Sequence, residues 1–133
     1  EKRGMELSLQ IQEGYVTIEY DLFKTLILNL IDNALKSGGT NVCVTGICNE
    51  QLYEIEVKDN GRGIPPEEIQ RITEAFYMVD KSRSRKEHGA GLGLALCEKI
   101  ASIHSTKLEI SSKEGIGTNI RLKLLLSGKA EMI

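Results

Sequence analysis

The sequence of 133 residues lacks several features that would assign it to a broad class of protein. It has no tryptophan, only two prolines, and no apolar run approaching the roughly 20 residues of a membrane helix or resembling a signal peptide. The net charge of −2 argues against general nucleic-acid binding. Cys43, Cys48 and Cys97 form an odd set without metal-site spacing, so we expect reduced thiols in a cytosolic protein.

The composition and the periodicity predict one compact α/β domain. Hydrophobic residues make up 41% of the chain, enough for a core of its own. Alternating apolar residues predict about five strands, and helical spacing predicts two main helices. A two-layer sandwich, in which one sheet face packs on the helices, accommodates these elements.

The first candidate functional segment is 59–65, with the sequence DNGRGIP. It follows a predicted strand over 52–58, in which Ile55 and Val57 share the buried face. If the strand continues by one residue, Asp59 falls on that face, where a charge is costly unless it is paired or hydrogen-bonded. An inward carboxylate above a glycine turn can accept from the amino group of a flat heterocycle. The alternative is an Asx-turn, which Asp-Asn-Gly alone would favour.

Apolar residues at intervals of three and four predict a helix over 20–36. Asp21 suits its N-cap or first turn, and the glycine pair 38–39 suits its C-terminal end. The predicted buried face consists of Phe23, Ile27, Leu30, Ile31, Ala34 and Leu35.

A polar edge runs beside this apolar face and contains Asn29, Asn33 and Lys36. Two asparagines one turn apart are notable because asparagine is a poor helix former. An amide oxygen is a hard ligand for Mg²⁺, and a lysine ammonium is a point charge for phosphate. The edge therefore indicates a site for a divalent cation and phosphate oxygens, with a solvated helix face as the alternative.

A glycine-rich segment, 89–94, opens a second predicted helix. Amides exposed at a helix start suit an anion, although the spacing matches neither a dinucleotide fingerprint nor a Walker loop. The buried face of this helix is predicted to be Leu92, Leu96, Ile100 and Ile103. The basic stretch 81–88 before it is interpreted as a lid over a triphosphate, and otherwise as a solvated loop or nucleic-acid tail.

These segments, in this order, resemble the ATP-binding domain of bacterial sensor histidine kinases. That domain belongs to the superfamily shared with the gyrase B subunit, the ninety-kilodalton heat-shock chaperone and the mismatch-repair ATPases. The likeness extends from about Tyr20 to Leu125 and implies a single domain over 1–133 with a Bergerat-type fold, a mixed and mostly antiparallel sheet of about five strands, and an ATP lid at about 74–90. The matching segments are the N box at 29–36, the first glycine box at 59–63, the F box at 74–77, the second glycine box at 89–93 and the glycine-threonine turn at 115–118.

The resemblance implies that ATP and Mg²⁺ are bound, and it implies a role for each matching residue. Asn33 would coordinate Mg²⁺, with Asn29 and Lys36 as the neighbouring members of the catalytic set. Asp59 would bind the adenine amino group, and Thr118 would help to read the purine edge through water. The remaining nucleotide contacts would be Gly61, Gly63, Ile64, Lys81, Arg83, Arg85, Gly89, Gly91, Leu92 and Gly93.

Position 29 separates the kinase from its hydrolytic relatives. Gyrase-like ATPases and anti-sigma serine kinases carry Glu one turn before the magnesium-binding Asn, where it can act as general base. Asn29 cannot take a proton, whereas a neutral imidazole acceptor already presents a lone pair. We therefore rank a histidine-kinase catalytic domain first, then an anti-sigma serine kinase, a gyrase-like ATPase and a non-catalytic nucleotide-binding module. Ser37 is a second departure, since many histidine kinases carry an aromatic residue there.

The two histidines, His88 and His104, lack the sequence context of a phosphoacceptor, and we expect His104 to be structural. Because neither histidine has that context, the dimerisation and phosphoacceptor helices are expected outside this chain, and Glu1 in place of Met fits a fragment. The implied partners are that dimerisation domain and a response regulator, with the intact protein a homodimer and the fragment a monomer. The implied location is cytoplasmic, at the cytosolic end of a membrane-anchored sensor, without direct membrane contact or a nucleic-acid partner.

Overall fold

The computed structural model describes residues 6–71 and 93–127, which build one five-stranded sheet with two helices. The sheet order is β1-β2-β3-β5-β4; β1 pairs with β2 in parallel, and the other three pairs are antiparallel. The predicted mixed, mostly antiparallel sheet is confirmed. The elements are β1 (Glu6–Ile11), α1 (Tyr20–Leu35), β2 (Asn41–Asn49), β3 (Leu52–Asp59), a 3₁₀ turn (Pro66–Arg71), α2 (Gly93–Ile103), β4 (Glu109–Lys113) and β5 (Gly117–Leu125).

The core lies between one face of the sheet and the two helices. Strand register aligns Val44, Val57 and Ile120 in one row across three strands, and all three are buried. Burying an aliphatic side chain of this size stabilises the fold by about 1.5–3 kcal/mol. The buried residues of the helices join the same cluster: Phe23, Leu26, Leu30 and Ala34 from α1, with Cys97, Ile100 and Ala101 from α2. This arrangement is the predicted two-layer sandwich.

Helix α1 lies within one residue of its predicted span. Of the predicted buried face, Phe23, Leu30 and Ala34 are buried, whereas Ile27, Ile31 and Leu35 are only partly buried. The sequence pattern missed Leu26, which is fully buried. Its carbonyl accepts a weak hydrogen bond from Cys97 Sγ at 3.6 Å, so α1 packs against α2 as well as the sheet. Asp21 lies in the first turn, while the N-cap residue is Glu19. Gly38, with φ of +91°, follows the end of the helix as expected.

The predicted buried face of α2 was wrong at two positions. Leu96 and Ile103 are 43% and 58% exposed, whereas Cys97 and Ala101 are buried together with the correctly predicted Ile100. Small side chains such as Cys97 and Ala101 let α2 approach α1 closely. The longer side chains of Leu96 and Ile103 then remain outside this contact. Leu92 lies outside the described residues. Neither helix in the described ranges is long and apolar enough to cross a bilayer.

Candidate functional site

The site is built on a polar row that crosses the end of the sheet. Register places Ser112 of β4 opposite Thr118 of β5, and Thr118 opposite Asp59 of β3. Asp59 and Thr118 are only 8% and 7% exposed. Strand β3 does continue to Asp59, so the predicted inward orientation of this carboxylate is confirmed. The row on the core side of it is apolar, and a carboxylate and a hydroxyl therefore lie side by side at the core boundary.

The Asp59 carboxylate is buried, and several neighbouring groups favour its ionised form. Burial raises its pKa above the ordinary value of 3.8, and the Gly61 N–H, the Ser37 hydroxyl, the Thr118 amide and the Arg62 charge oppose that rise in decreasing order. The Gly61 N–H donates to Asp59 Oδ1 at 2.8 Å, which is the hydrogen bond of an Asx-turn. The Asx-turn is therefore formed, and it uses one oxygen of the carboxylate. The other interpretation, an acceptor for the amino group of a flat heterocycle, stays a prediction, and the turn leaves acceptor capacity for it.

The glycines of the first glycine box are required by the packing of the protein itself. A Cβ on Gly61 would collide with the Ser37 side chain, and one on Gly63, where φ is +74°, would collide with the Lys113 carbonyl. The Arg62 N–H and Arg62 Nη1 both donate to the Ser37 carbonyl at 3.1 Å. The sequence alone suggested close approach by a ligand, whereas the structure brings the end of α1 and the end of β4 against this box.

The Ser37 hydroxyl is buried and has no hydrogen-bond partner of acceptable geometry within residues 6–71 and 93–127. It is nevertheless close enough to Asp59 to favour the ionised carboxylate, so the two side chains belong to one polar pocket. An unsatisfied buried hydroxyl costs about 1–3 kcal/mol. The donor and acceptor capacity available beside Asp59 fits a polar ligand such as a nucleobase with its water.

Ser112 is a residue that the sequence interpretation missed. Its Oγ accepts the Ile64 N–H at 2.8 Å, donates to the Gly117 carbonyl at 2.9 Å, and lies 2.8 Å from Thr118 Oγ1. One hydroxyl thus connects the first glycine box to the glycine-threonine turn. The sequence did offer one signal for Ser112, namely a polar residue at an inward position of a short strand. Its hydrogen-bond partners, however, depend on the strand register.

The polar edge of α1 is half-buried along Asn29, Asn33 and Lys36, as the helical spacing predicted. Lys36 Nζ pairs with Asp32 at 3.2 Å on the helix surface. Within the described ranges, no three His, Cys, Asp or Glu side chains form a metal-binding group. Magnesium fits this edge only as an ion that takes an amide oxygen together with phosphate and water oxygens, which is a common way to bind Mg²⁺ with substrate phosphates.

The remaining predicted contacts divide into two groups. Ile64 is buried beside the polar row, and Gly93 is the exposed first residue of α2. The others lie outside the described residues: Lys81, Arg83, Arg85, Gly89, Gly91 and Leu92.

A sequence model of the family described as histidine kinase-, DNA gyrase B-, and HSP90-like ATPase matches residues 18–128. The chain belongs to this ATPase family. Sensor histidine kinase WalK of Bacillus subtilis is 38% identical over 121 residues, covering 88% of this chain and 20% of that protein. Sensor protein SrrB of Staphylococcus aureus is 36% identical over 110 residues, covering 81% of this chain and 19% of that protein. The chain therefore spans about a fifth of the length of these relatives.

Solved structures of histidine kinases share the fold of this ATPase-family domain. The mycobacterial sensor histidine kinase MprB matches with a TM-score of 0.81 and 25% identity, covering 93% of this chain and 85% of that chain. The catalytic domain of histidine kinase ThkA matches with a TM-score of 0.78 and 22% identity, covering 93% and 82%. The Bergerat-type fold is confirmed.

Proposed function

We propose that this domain binds Mg-ATP and, within an intact sensor kinase, donates the γ-phosphoryl group to a histidine on a separate dimerisation domain. The observation that carries the proposal is the buried Asp59 carboxylate, which retains acceptor capacity in the polar pocket that it shares with the buried Ser37 hydroxyl. The likeness to sensor histidine kinase WalK and to sensor protein SrrB supports this assignment. Full-length ShkA, a structural neighbour that shares this fold, has a crystal structure in complex with AMPPNP.

The base would be recognised at the polar row. Asp59 accepts a hydrogen bond from the exocyclic amino group of adenine, which replaces the solvation that the carboxylate loses through burial. Gly61, Gly63 and Ile64 form the wall of this pocket, and their backbone is already held by contacts to Ser37, Lys113 and Ser112. A site held in place before binding loses less conformational freedom when the ligand arrives.

The phosphates would lie along the polar edge of α1. Asn33 supplies the amide oxygen for Mg²⁺, with Asn29 and Lys36 as adjacent polar contacts. When bound, the metal neutralises phosphate charge. The basic residues Lys81, Arg83 and Arg85 would reach the terminal phosphate. The second glycine box would present amides to the phosphates from Gly89, Gly91, Leu92 and Gly93.

The transfer itself makes few chemical demands on the domain. A neutral imidazole nitrogen of the acceptor attacks the γ-phosphorus, an N–P bond forms, and the bond to the β,γ-bridging oxygen breaks to release ADP. Positioning and charge neutralisation dominate in such a loose transition state. Asn29 in place of a general base is compatible with this step, because the attacking nitrogen already carries a lone pair.

The setting is also part of the proposal. Residues 1–133 act as a single catalytic and ATP-binding domain of a bacterial two-component system, monomeric as this chain and dimeric in the intact kinase. Its partners are the kinase's own phosphoacceptor domain and a response regulator. The site faces the cytoplasm, where ATP is available.

Substitution of Asn33 tests the assignment. We expect Asn33→Ala to abolish Mg-dependent phosphotransfer to an added acceptor domain, while circular dichroism and the melting temperature stay near those of the wild type. The side chain lies beside the apolar face of α1, so its removal opens no large cavity. Asn49→Ala, at an exposed strand end, is the control. Full activity of Asn33→Ala would refute the metal assignment, and a wild-type chain that binds no ATP would refute the function.

A further inference from the structure

The hydrogen bonds of Ser112 determine which way the Thr118 hydroxyl points. A serine hydroxyl has one proton and two lone pairs. Ser112 Oγ receives the Ile64 N–H through one lone pair, since a backbone amide can only donate. Its own proton goes to the Gly117 carbonyl, since a carbonyl can only accept. The contact of 2.8 Å to Thr118 Oγ1 is then a bond in which Thr118 donates and Ser112 accepts.

These donor and acceptor roles satisfy all three hydrogen bonds of Ser112 Oγ at once. If Ser112 donated to Thr118 instead, the Gly117 carbonyl would lose its bond from the Ser112 hydroxyl. Ser112 is partly buried, so an unmet hydrogen bond there is costly. The Thr118 proton is therefore committed to Ser112. Towards the pocket, Thr118 offers only oxygen lone pairs.

We propose that Ser112 is a specificity-determining positioning residue, which holds Thr118 as a hydrogen-bond acceptor and so selects purines with an amino group at C6. The inference rests on the proposed nucleotide site. Asp59 alone discriminates only weakly between adenine and a purine with oxygen at C6, because a carboxylate can also accept the N1–H of a 6-oxo purine. Thr118 is directly opposite Asp59 in the sheet and equally buried, so the pocket presents two acceptors side by side.

The second acceptor favours adenine whether the contact is direct or through water. In a direct contact, the C6 amino group donates to Thr118, whereas a C6 carbonyl oxygen opposes another lone pair. Through a bridging water, one water proton goes to Thr118 and the other to the unprotonated N1 of adenine. The N1 of a 6-oxo purine carries a hydrogen and cannot accept it.

The test compares ATP with ITP, which differs in carrying oxygen in place of the C6 amino group. Calorimetry with the full chain gives the ratio of the two dissociation constants. We expect Ser112→Ala to lower the preference for ATP by about fivefold to tenfold, because the freed Thr118 hydroxyl can rotate and donate. Ser111→Ala, the neighbouring exposed residue of β4, is the matched control and should keep the wild-type ratio.

A double-mutant cycle separates this role from a structural one. In a Thr118→Val background, Ser112→Ala should leave the ratio unchanged, since no threonine hydroxyl remains to be oriented. If Ser112→Ala does not fold, Ser112→Cys replaces it, because a thiol is a weak acceptor and should lower the ratio in the same direction. An unchanged ratio in the folded Ser112 variant overturns the proposal while ATP binding stands. A wild type that binds neither nucleotide overturns both.

Discussion

The imidazole of His104 closes the N-terminus of α1, where its Nε2 accepts the backbone N–H of Glu19 at 2.9 Å. Because Nε2 accepts, the ring proton lies on Nδ1, which is 2.9 Å from the Ile100 carbonyl and donates to it. The ring also packs edge-to-face on Phe23, with centroids 5.3 Å apart. The end of α2 is thereby joined to the start of the helix that carries the N box, which agrees with the structural role expected from the sequence.

His104→Ala is expected to destabilise the domain by about 1–2 kcal/mol. It leaves the Glu19 N–H without its acceptor and removes the aromatic contact with Phe23. Urea unfolding monitored by circular dichroism measures the change. His104→Gln retains an amide oxygen that can accept and should recover part of the loss. An unfolding midpoint equal to that of the wild type in both variants would contradict the capping role.

The substitution Asp59→Asn is expected to stabilise the folded domain and to weaken its binding of ATP. Burial raises the folded-state pKa of Asp59, so the folded protein holds this proton more tightly than the unfolded chain. The stabilisation from protonation is fully present below the ordinary value of 3.8 and is lost as pH rises through the raised pKa. At pH 7 the neutral amide should therefore raise the free energy of unfolding of the domain.

Two measurements check this pair of effects. The stability difference between Asp59→Asn and the wild type should shrink as the pH falls towards 3.8. Calorimetry should show that Asp59→Asn weakens ATP more than GTP. Unchanged ATP binding by Asp59→Asn would remove the assigned role of the carboxylate.

Gly63→Ala and Gly115→Ala form a matched pair, since both glycines have positive φ, +74° and +83°. A Cβ at Gly115 meets open space, so this variant should cost only the backbone strain of about 1–2 kcal/mol. At Gly63 the new Cβ meets the Lys113 carbonyl, so Gly63→Ala should cost at least twice as much and weaken ATP binding. Thermal unfolding of both variants measures the difference, and equal costs would disprove the close contact.

Cys97 is expected to resist alkylation as long as the domain is folded. Burial and the neighbouring Glu98 charge raise the pKa of its thiol to about 12, so almost no thiolate exists near pH 8. Cys43 and Cys48 are only partly buried and should react first with iodoacetamide. Mass spectrometry should find Cys97 modified only in urea. Modification of all three cysteines at one rate in buffer would contradict the packing of α2 on α1.

The isolated chain should hydrolyse ATP negligibly, and Asn29→Glu is the substitution expected to raise hydrolysis. The new carboxylate would stand one turn from Asn33 and could activate water, an effect that typically contributes about 10²–10⁴-fold. The gain should fall below that range because the site is not shaped to position water. Steady-state phosphate release with Mg²⁺ is the measurement, with Asn29→Gln as control. Rapid turnover by the wild type would favour the gyrase-like function.

The position of Asp59 could be predicted because it depends on local information. Strand period fixes the face of a residue, and the glycines fix where the strand ends. The same reasoning failed for Leu96 and Ile103, because α2 carries apolar residues around much of its circumference. The face of α2 that is buried depends on how closely α1 approaches it. The small side chains of Cys97 and Ala101 allow the closest approach, so their face is the buried one.

The role of Ser112 could not be predicted from the sequence for a related reason. Two of its partners, Gly117 and Thr118, lie in β5, and the third, Ile64, directly follows the first glycine box. Only the strand register brings them together. Leu26 was missed because the spacing of apolar residues in α1 is equally compatible with a face centred towards Ile27 and Ile31, which are only partly buried. In both cases the deciding contact joins distant parts of the chain.

The hydrogen bond from the Gly61 N–H to Asp59 Oδ1 places a spectroscopic probe inside the pocket. An amide proton shared with a carboxylate resonates far downfield, and its frequency responds to the charge on that carboxylate. Glycine amides also occupy an uncrowded region of the nitrogen dimension. The Gly61 cross-peak would thus report protonation of Asp59 in a pH titration and arrival of a purine in a ligand titration, without any label attached to the site.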